Sequence, residues 1–234
     1  MERPGGYSVV RHPYPDYLGA MARLLTDRLL LREWRESDLV PWATINADPE
    51  VRRYLPGLPG REQCDAAVAG FQADLEQRGW GWWAVEVRDT GEFIGFTGLD
   101  PVEEGQPFTG VEAGWRLARS AWGHGYATEA ARAALRFGFT DLGLPEILAV
   151  TAAGNDRSRA VMRRLGMTRR PADDFDDATL PEGDPLRRSV LYRLPEALWA
   201  AGQGQAIQAG QDDAANAAGQ GASRGKRRPG PAGA

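Results

Sequence analysis

The spacing of apolar residues changes period sharply between residues 117 and 127, and the other segments can be read around that change. From residue 111 to 117 every second position is apolar or aromatic, the pattern of a strand with two unlike faces. Ala127, Ala130, Ala131, Ala134, Leu135 and Gly138 then recur at helical spacing, with Thr128, Glu129, Arg132 and Arg136 on the other side. The pattern predicts a strand, a turn holding Gly123 and Gly125, and a helix starting near Gly125 whose packing face is alanine and glycine.

The flanking segments follow the same rules. Residues 26–34 read as a strand, and Ser37-Asp38 as the cap of a helix carrying Leu39, Trp42, Ala43 and Asn46. Asp48-Pro49 interrupts that helix, and the segment 56–60, rich in proline and glycine, breaks the chain. Residues 61–78 keep Cys64, Ala67, Val68, Phe71 and Leu75 on one helical face, with Gly79 suited to its end. Residues 80–87 and 92–99 form a hairpin about Arg88-Asp89-Thr90-Gly91. Residues 147–151 are a short apolar strand, parallel to the 111–117 strand if the crossover is right-handed. A helix follows Asn155, with Ser158, Val161, Met162 and Leu165 on one face, and residues 186–194 are the last strand.

Composition sets the limits. Residues 1–22 hold Pro4, Gly5, Gly6, Pro13 and Pro15 without a sustained period and are expected to be a flexible leader. One domain is expected over 23–201, then a disordered Ala/Gly/Gln tail over 202–234 with a basic end at Arg224, Lys226, Arg227 and Arg228. A net charge of -4 gives no bulk attraction to nucleic acid. No apolar run approaches the roughly 20 residues that span a bilayer, and no secretory signal opens the chain. The expectation is a cytoplasmic protein, monomer or homodimer, without nucleic-acid or membrane partners. A lone Cys64 has no disulfide partner and reads as a small packing residue. His12 and His124 are too few to make a metal site, so none is expected.

Candidate chemistry lies in the turn. Glycines at 123 and 125 remove Cβ atoms, and the first turn of the helix leaves N–H groups without internal partners, which attracts phosphate. No Gly-Lys-Ser/Thr follows, and the third glycine of a dinucleotide fingerprint would fall at Thr128. The run Trp122-Gly123-His124-Gly125-Tyr126-Ala127-Thr128-Glu129-Ala130 resembles the pyrophosphate loop of the GNAT N-acetyltransferase superfamily, in particular its RimJ/RimL-type branch of ribosomal-protein N-terminal acetyltransferases. Ser120 stands where the superfamily has Gln or Arg, with Arg119 beside it. Arg163-Arg164-Leu165-Gly166-Met167 is similar to the family's basic-Leu-Gly-Phe close.

The resemblance spans roughly residues 25 to 195 and implies an α/β (α+β), GNAT-like fold. That is a mixed, mostly antiparallel central sheet with a splayed parallel strand pair and helices on both faces. It implies acetyl-CoA as donor and a primary amine as acceptor, the branch pointing to the α-amine of a protein N-terminus. A small-molecule acetyltransferase acting on an antibiotic or polyamine, and a CoA-binding regulatory module without turnover, stay open as alternatives.

By the same analogy the backbone of Leu117, Ala118 and Arg119 holds the pantetheine arm like an added strand. Trp122 heads the loop, and the N–H groups of Gly123, His124, Gly125, Tyr126, Ala127 and Thr128 hold the pyrophosphate. Asn155 either bonds the pantetheine or caps its own helix. Arg157, Arg159, Arg163 and Arg164 either meet the ribose phosphate or form a solvated basic face. Glu112, on the strand that feeds the loop, is the candidate general base, directly or through a water; the alternative is a surface carboxylate. Many family members have a tyrosine at the position of Met162. Ser158 stands where the RimL-type branch places a serine, to donate to the leaving thiolate or to cap the helix. An α-amine with pKa near 8 is about a tenth neutral at pH 7, whereas a lysine is neutral in about one molecule in two thousand, so an N-terminal acceptor asks less of a base. Trp34, Trp42, Trp82, Trp83 and Trp115 line an acceptor pocket or fill the core. The acidic run 173–177, with Glu182, favours a cationic acceptor or is an exposed loop.

Overall fold

The expected hairpin at residues 80–99 lies within a nine-stranded sheet. The computed structural model describes residues 21–202. In chain order the elements are β1 (Leu24–Leu25), β2 (Leu29–Arg32), α1 (Leu39–Ala47), α2 (Pro49–Arg52), α3 (Arg61–Arg78), β3 (Trp82–Val87), β4 (Phe93–Pro101) and β5 (Val111–Leu117). They continue with α4 (Tyr126–Thr140), β6 (Glu146–Ala152), α5 (Asp156–Arg164), β7 (Thr168–Arg169), β8 (Phe175–Asp176) and β9 (Arg188–Pro195). The sheet order is β1-β2-β3-β4-β5-β6-β9-β7, with β8 also on β9. Every pairing is antiparallel except β5 with β6.

The two faces carry different helices because strand residues alternate sides. On one face α4 lies close: a Cβ added at Gly138 would come within 2.7 Å of Ile147 and 2.8 Å of Leu99, so the Ala/Gly stripe is what lets the helix backbone approach. Phe137 of the same helix packs edge-on against Trp83. On the other face α1 and α3 cover an aromatic cluster in which Trp42 meets Phe96 at 5.4 Å and Trp34 meets Phe93 and Phe71. The fold is therefore the expected mixed sheet with helices on both sides.

Three local expectations change. Asp38 does not cap α1 with its side chain. Residues Glu36–Asp38 make a 3-10 turn, and the buried Asp38 carboxylate accepts two bonds from Arg32, at 2.7 and 3.0 Å, and one from the Arg35 N–H at 2.8 Å. Ala22 belongs to the folded part: its N–H donates to Gly79 and its carbonyl accepts from Trp83 Nε1. The Asp- and Pro-rich stretch before the last strand contributes β8, which pairs with β9. One compact unit ends at Glu196 and a second begins at Ala197, helical through residue 202. The expectations for residues 1–20 and 203–234 fall outside the described residues.

Candidate active site

The parallel strands β5 and β6 touch at a single registered pair, Glu112 with Leu148, whereas β5 keeps seven pairs with β4 and β6 keeps seven with β9. Beyond that pair the two strands part. One arm runs through Leu117 to the 3-10 turn Arg119–Ala121 and α4, the other through Ala152 to α5. Ala118 N–H donates to Ile94 on β4 at 2.8 Å, so alternation turns the backbone groups of Trp115 and Leu117 toward the gap.

Some backbone groups along this edge already have partners. The Leu117 carbonyl already accepts Trp122 Nε1–H at 3.0 Å. Ala118 gives its N–H to Ile94 and its carbonyl to Ala121 N–H, and the Arg119 carbonyl takes Trp122 N–H at 3.2 Å. Ala118 therefore has no unengaged donor for a ligand; Leu117 and Arg119 retain theirs.

The loop is a row of donors. Gly123 and Gly125 have φ of 83° and 80°, and nothing stands within 4 Å of a Cβ built at Gly123. It is the left-handed backbone, not crowding by protein, that calls for glycine there. The first helical bond is Glu129 N–H to Gly125 at 3.1 Å. Among the described residues no acceptor meets the N–H groups of Gly123, His124, Gly125, Tyr126, Ala127 or Thr128. With the positive end of the α4 dipole behind them, these groups make a positively polarised row of donors, the kind of arrangement that attracts an anion.

Glu112 stands at the crotch of the split. Its side chain shares a face with Arg116, which lies over Trp42, so it points toward the α1/α3 side. Asp100 is directly opposite on β4, and Arg78 Nη2 donates to Asp100 at 2.7 Å. Burial, reinforced by the charges of Asp100 and Glu103, pushes Glu112 up to about 7. Burial lifts Asp100 to about 6 against the pull of Arg78. Among the described residues no hydrogen-bond donor meets the Glu112 carboxylate, which suits a group that must pick up a proton near neutral pH.

On the other arm, Asn155 is occupied as the cap of α5. Its Oδ1 accepts Ser158 N–H at 3.2 Å, and its Nδ2 donates to Thr151 Oγ1 at 2.9 Å and Ser158 Oγ at 3.2 Å. Both amide hydrogens are engaged within the protein, and Asn155 caps α5. Ser158 Oγ accepts from Asn155, which leaves its own hydrogen to donate elsewhere. Arg157 stacks on Trp122 at 4.4 Å, joining α5 to the head of the loop. Arg159 is tied to Ala153 and Asp156, while Arg163 and Arg164 are exposed. Met162 is buried in the core.

The acidic run loses its appeal as a cation trap. Asp173 accepts from Arg193 and Arg170, Asp174 from Arg169, and Asp176 from Arg188. Trp34, Trp42 and Trp83 are core residues; Trp82 and Trp115 remain half-buried. An open cleft of about 680 Å³ lies between Ile45, Asp48 and Val51 on one wall and Ala118, Arg119 and Ser120 on the other. Sequence reasoning missed Arg28, Arg78 and Asp100. Arg28 reaches the loop from the turn just before β2, about 100 positions away, with its Nη1 on the His124 carbonyl at 3.0 Å. Among the described residues no group of three or more His, Cys, Asp or Glu is placed to hold a metal ion, and no helix is long and apolar enough to cross a membrane.

The acetyltransferase (GNAT) domain family matches residues 28–168. The chain is 36% identical over 152 residues to the uncharacterized protein YkkB of Bacillus subtilis, covering 64% of this chain and 87% of that one. It is 40% identical over 141 residues to the FsC-acetyl coenzyme A-N(2)-transacetylase of Aspergillus fumigatus, covering 53% and 55%. An acetyltransferase structure from Agrobacterium tumefaciens superimposes with a TM-score of 0.61 at 28% identity, covering 75% of this chain and 95% of that one. RimL, the ribosomal L7/L12 alpha-N-protein acetyltransferase, solved in complex with coenzyme A, gives a TM-score of 0.59 at 16% identity, with 74% and 98% covered; that likeness is one of fold.

Proposed function

Because this chain belongs to the acetyltransferase (GNAT) family, we propose that it transfers an acetyl group from acetyl-CoA to a primary amine, with the α-amine of a polypeptide as acceptor. The observation that carries this reading is the split between β5 and β6, closed by one pair at Glu112 and flanked by six unpaired donors from Gly123 to Thr128. Acetyl-CoA supplies the acetyl group as a thioester. The residues present fit it: the row of loop donors suits a diphosphate, and the backbone of Trp115 with the Leu117 N–H, turned toward the gap, suits the two amides of a pantetheine arm.

Glu112 receives the proton of the acceptor ammonium. With its carboxyl near 7, taking a proton from an α-ammonium near 8 is uphill by about one pKa unit, roughly 1.4 kcal/mol. From a lysine ammonium the climb is more than three units by the same arithmetic. This gap favours an α-amine over an ε-amine. Arg78 holds Asp100 beside Glu112 and so fixes the second negative charge that keeps Glu112 basic. Ser158, braced by Asn155, keeps a hydroxyl hydrogen for the departing sulfur.

A small-molecule amine is the second reading; the transacetylase at 40% identity is named for acetyl coenzyme A and an N(2) acceptor, and the match spans about half of that enzyme. Thiol release coupled to mass spectrometry separates the two. Peptides with a free N-terminus should be acetylated there, and the same peptides blocked at the N-terminus but bearing lysine should not. Modification of polyamines alone would move the assignment to small molecules. Binding of acetyl-CoA with no thiol release from any amine would leave a binding module without turnover.

A further inference from the structure

We propose that Arg28 is a positioning residue for the diphosphate of coenzyme A, acting by neutralising Glu129 in the first turn of α4. The inference rests on the acetyl-CoA reading of the loop. Glu129 carries a carboxylate at the end of the helix that the donors of Gly123 to Thr128 prepare for an anion, a place where a second negative charge opposes the ligand. Three groups from the β1–β2 hairpin hold that carboxylate. Thr26 Oγ1 donates to Oε1 at 2.7 Å, the Arg28 N–H donates to Oε1 at 3.0 Å, and Arg28 Nε donates to Oε2 at 2.7 Å.

The same guanidinium continues into the loop. Its Nη1 donates to the His124 carbonyl at 3.0 Å, and its Cζ lies 4.7 Å from the Tyr126 ring centroid. Tyr126 in turn stacks on His124. Arg28 thus cancels the charge of Glu129 beside the loop, and its Nη1 also meets the carbonyl between the two left-handed glycines. Its pull is consistent with the Glu129 carboxyl lying below its ordinary value, where burial alone would raise it.

The test separates charge from strut. Gln at 129 keeps an oxygen for Thr26 and the Arg28 N–H but carries no charge. Isothermal titration of the full chain with coenzyme A is run on wild type, Arg28→Ala, Glu129→Gln, the double variant and Arg28→Lys, with melting curves to establish folding. Arg28→Ala should weaken binding about tenfold, as expected for one uncompensated charge near the ligand. Glu129→Gln should bind at least as well as wild type, the double variant should return to within about twofold of wild type, and Arg28→Lys should stay within a few-fold. The proposal is overturned if Arg28→Ala binds like wild type, or if the double variant or Arg28→Lys is as weak as Arg28→Ala. If Arg28→Ala does not fold, Arg28→Lys and the double variant decide. A wild type that shows no binding at millimolar coenzyme A overturns the cofactor reading as well.

Discussion

Glu112 and Asp100 stand opposite one another on neighbouring strands, and Arg78 donates to Asp100. Two carboxylates on one buried face share the cost of ionising, and the one without a cation is raised further, to about 7 against about 6. Activity that needs ionised Glu112 should rise with pH through an apparent pKa near 7 in kcat/KM. Glu112→Gln should lower kcat/KM by about a hundredfold and flatten that limb. A limb that persists unchanged in the variant would remove Glu112 from the proton transfer.

The same shift makes a stability prediction of definite sign. The folded Glu112 holds its proton up to about 7, whereas an unfolded glutamate loses it near 4.3, so folded protein binds more protons between those values. Its contribution therefore worsens as pH rises through that window. Glu112→Gln should raise the melting temperature at pH 8, by a stabilisation on the order of 2 kcal/mol, and give little gain at pH 4. Equal gains at both values would contradict the raised carboxyl.

Asn155 and Ser158 should separate cleanly. Asn155→Ala removes a helix cap and should cost about 1 kcal/mol in urea unfolding while leaving the affinity for coenzyme A unchanged. Ser158→Ala should lower kcat severalfold with KM for acetyl-CoA unmoved. A tenfold loss of coenzyme A binding in Asn155→Ala would instead place it in the cofactor site.

Two glycines of the same strand-loop-helix unit should fail in different ways. Gly123→Ala forces a side chain into φ of 83° with open space around it, and should cost about 1 kcal/mol of stability. It should also weaken coenzyme A binding, because its Cβ enters the row of loop donors. Gly138→Ala drives a methyl into Ile147 and Leu99 and should cost about 1–3 kcal/mol, with affinity retained in the folded protein. Differential scanning calorimetry paired with titration distinguishes the two.

How much of this could be read from residues alone depends on the distance between the residues involved. The strand, turn and helix over 111–140 announced themselves because alternation of Val111, Ala113, Trp115 and Leu117 gives way to helical spacing from Ala127 within a short stretch. The predicted helix at 61–78 matches α3, since Phe71, Leu75 and Gly79 carry local signals. Asp38 misled because a Ser-Asp before a helix looks the same whether the carboxylate caps the helix or pairs with a buried arginine six residues earlier. Arg28 and Glu129 carry no local signal, being paired across about 100 residues by the fold. Likewise the Asp100 and Glu112 pair depends on β4–β5 register, and the acidic run at 173–177 gave no hint of the arginines that claim it.

The N–H groups from Gly123 to Thr128 are the proposed grip for a diphosphate. The most direct measurement is a titration of isotope-labelled full-length protein with coenzyme A, followed by amide proton and nitrogen shifts. The six amides from Gly123 to Thr128 should move together and saturate at one affinity, with Leu117 and Arg119 shifting alongside and the amide of Ala118, already bonded to Ile94, moving least. Saturation of the protein with coenzyme A while those six amides stay still would contradict the account.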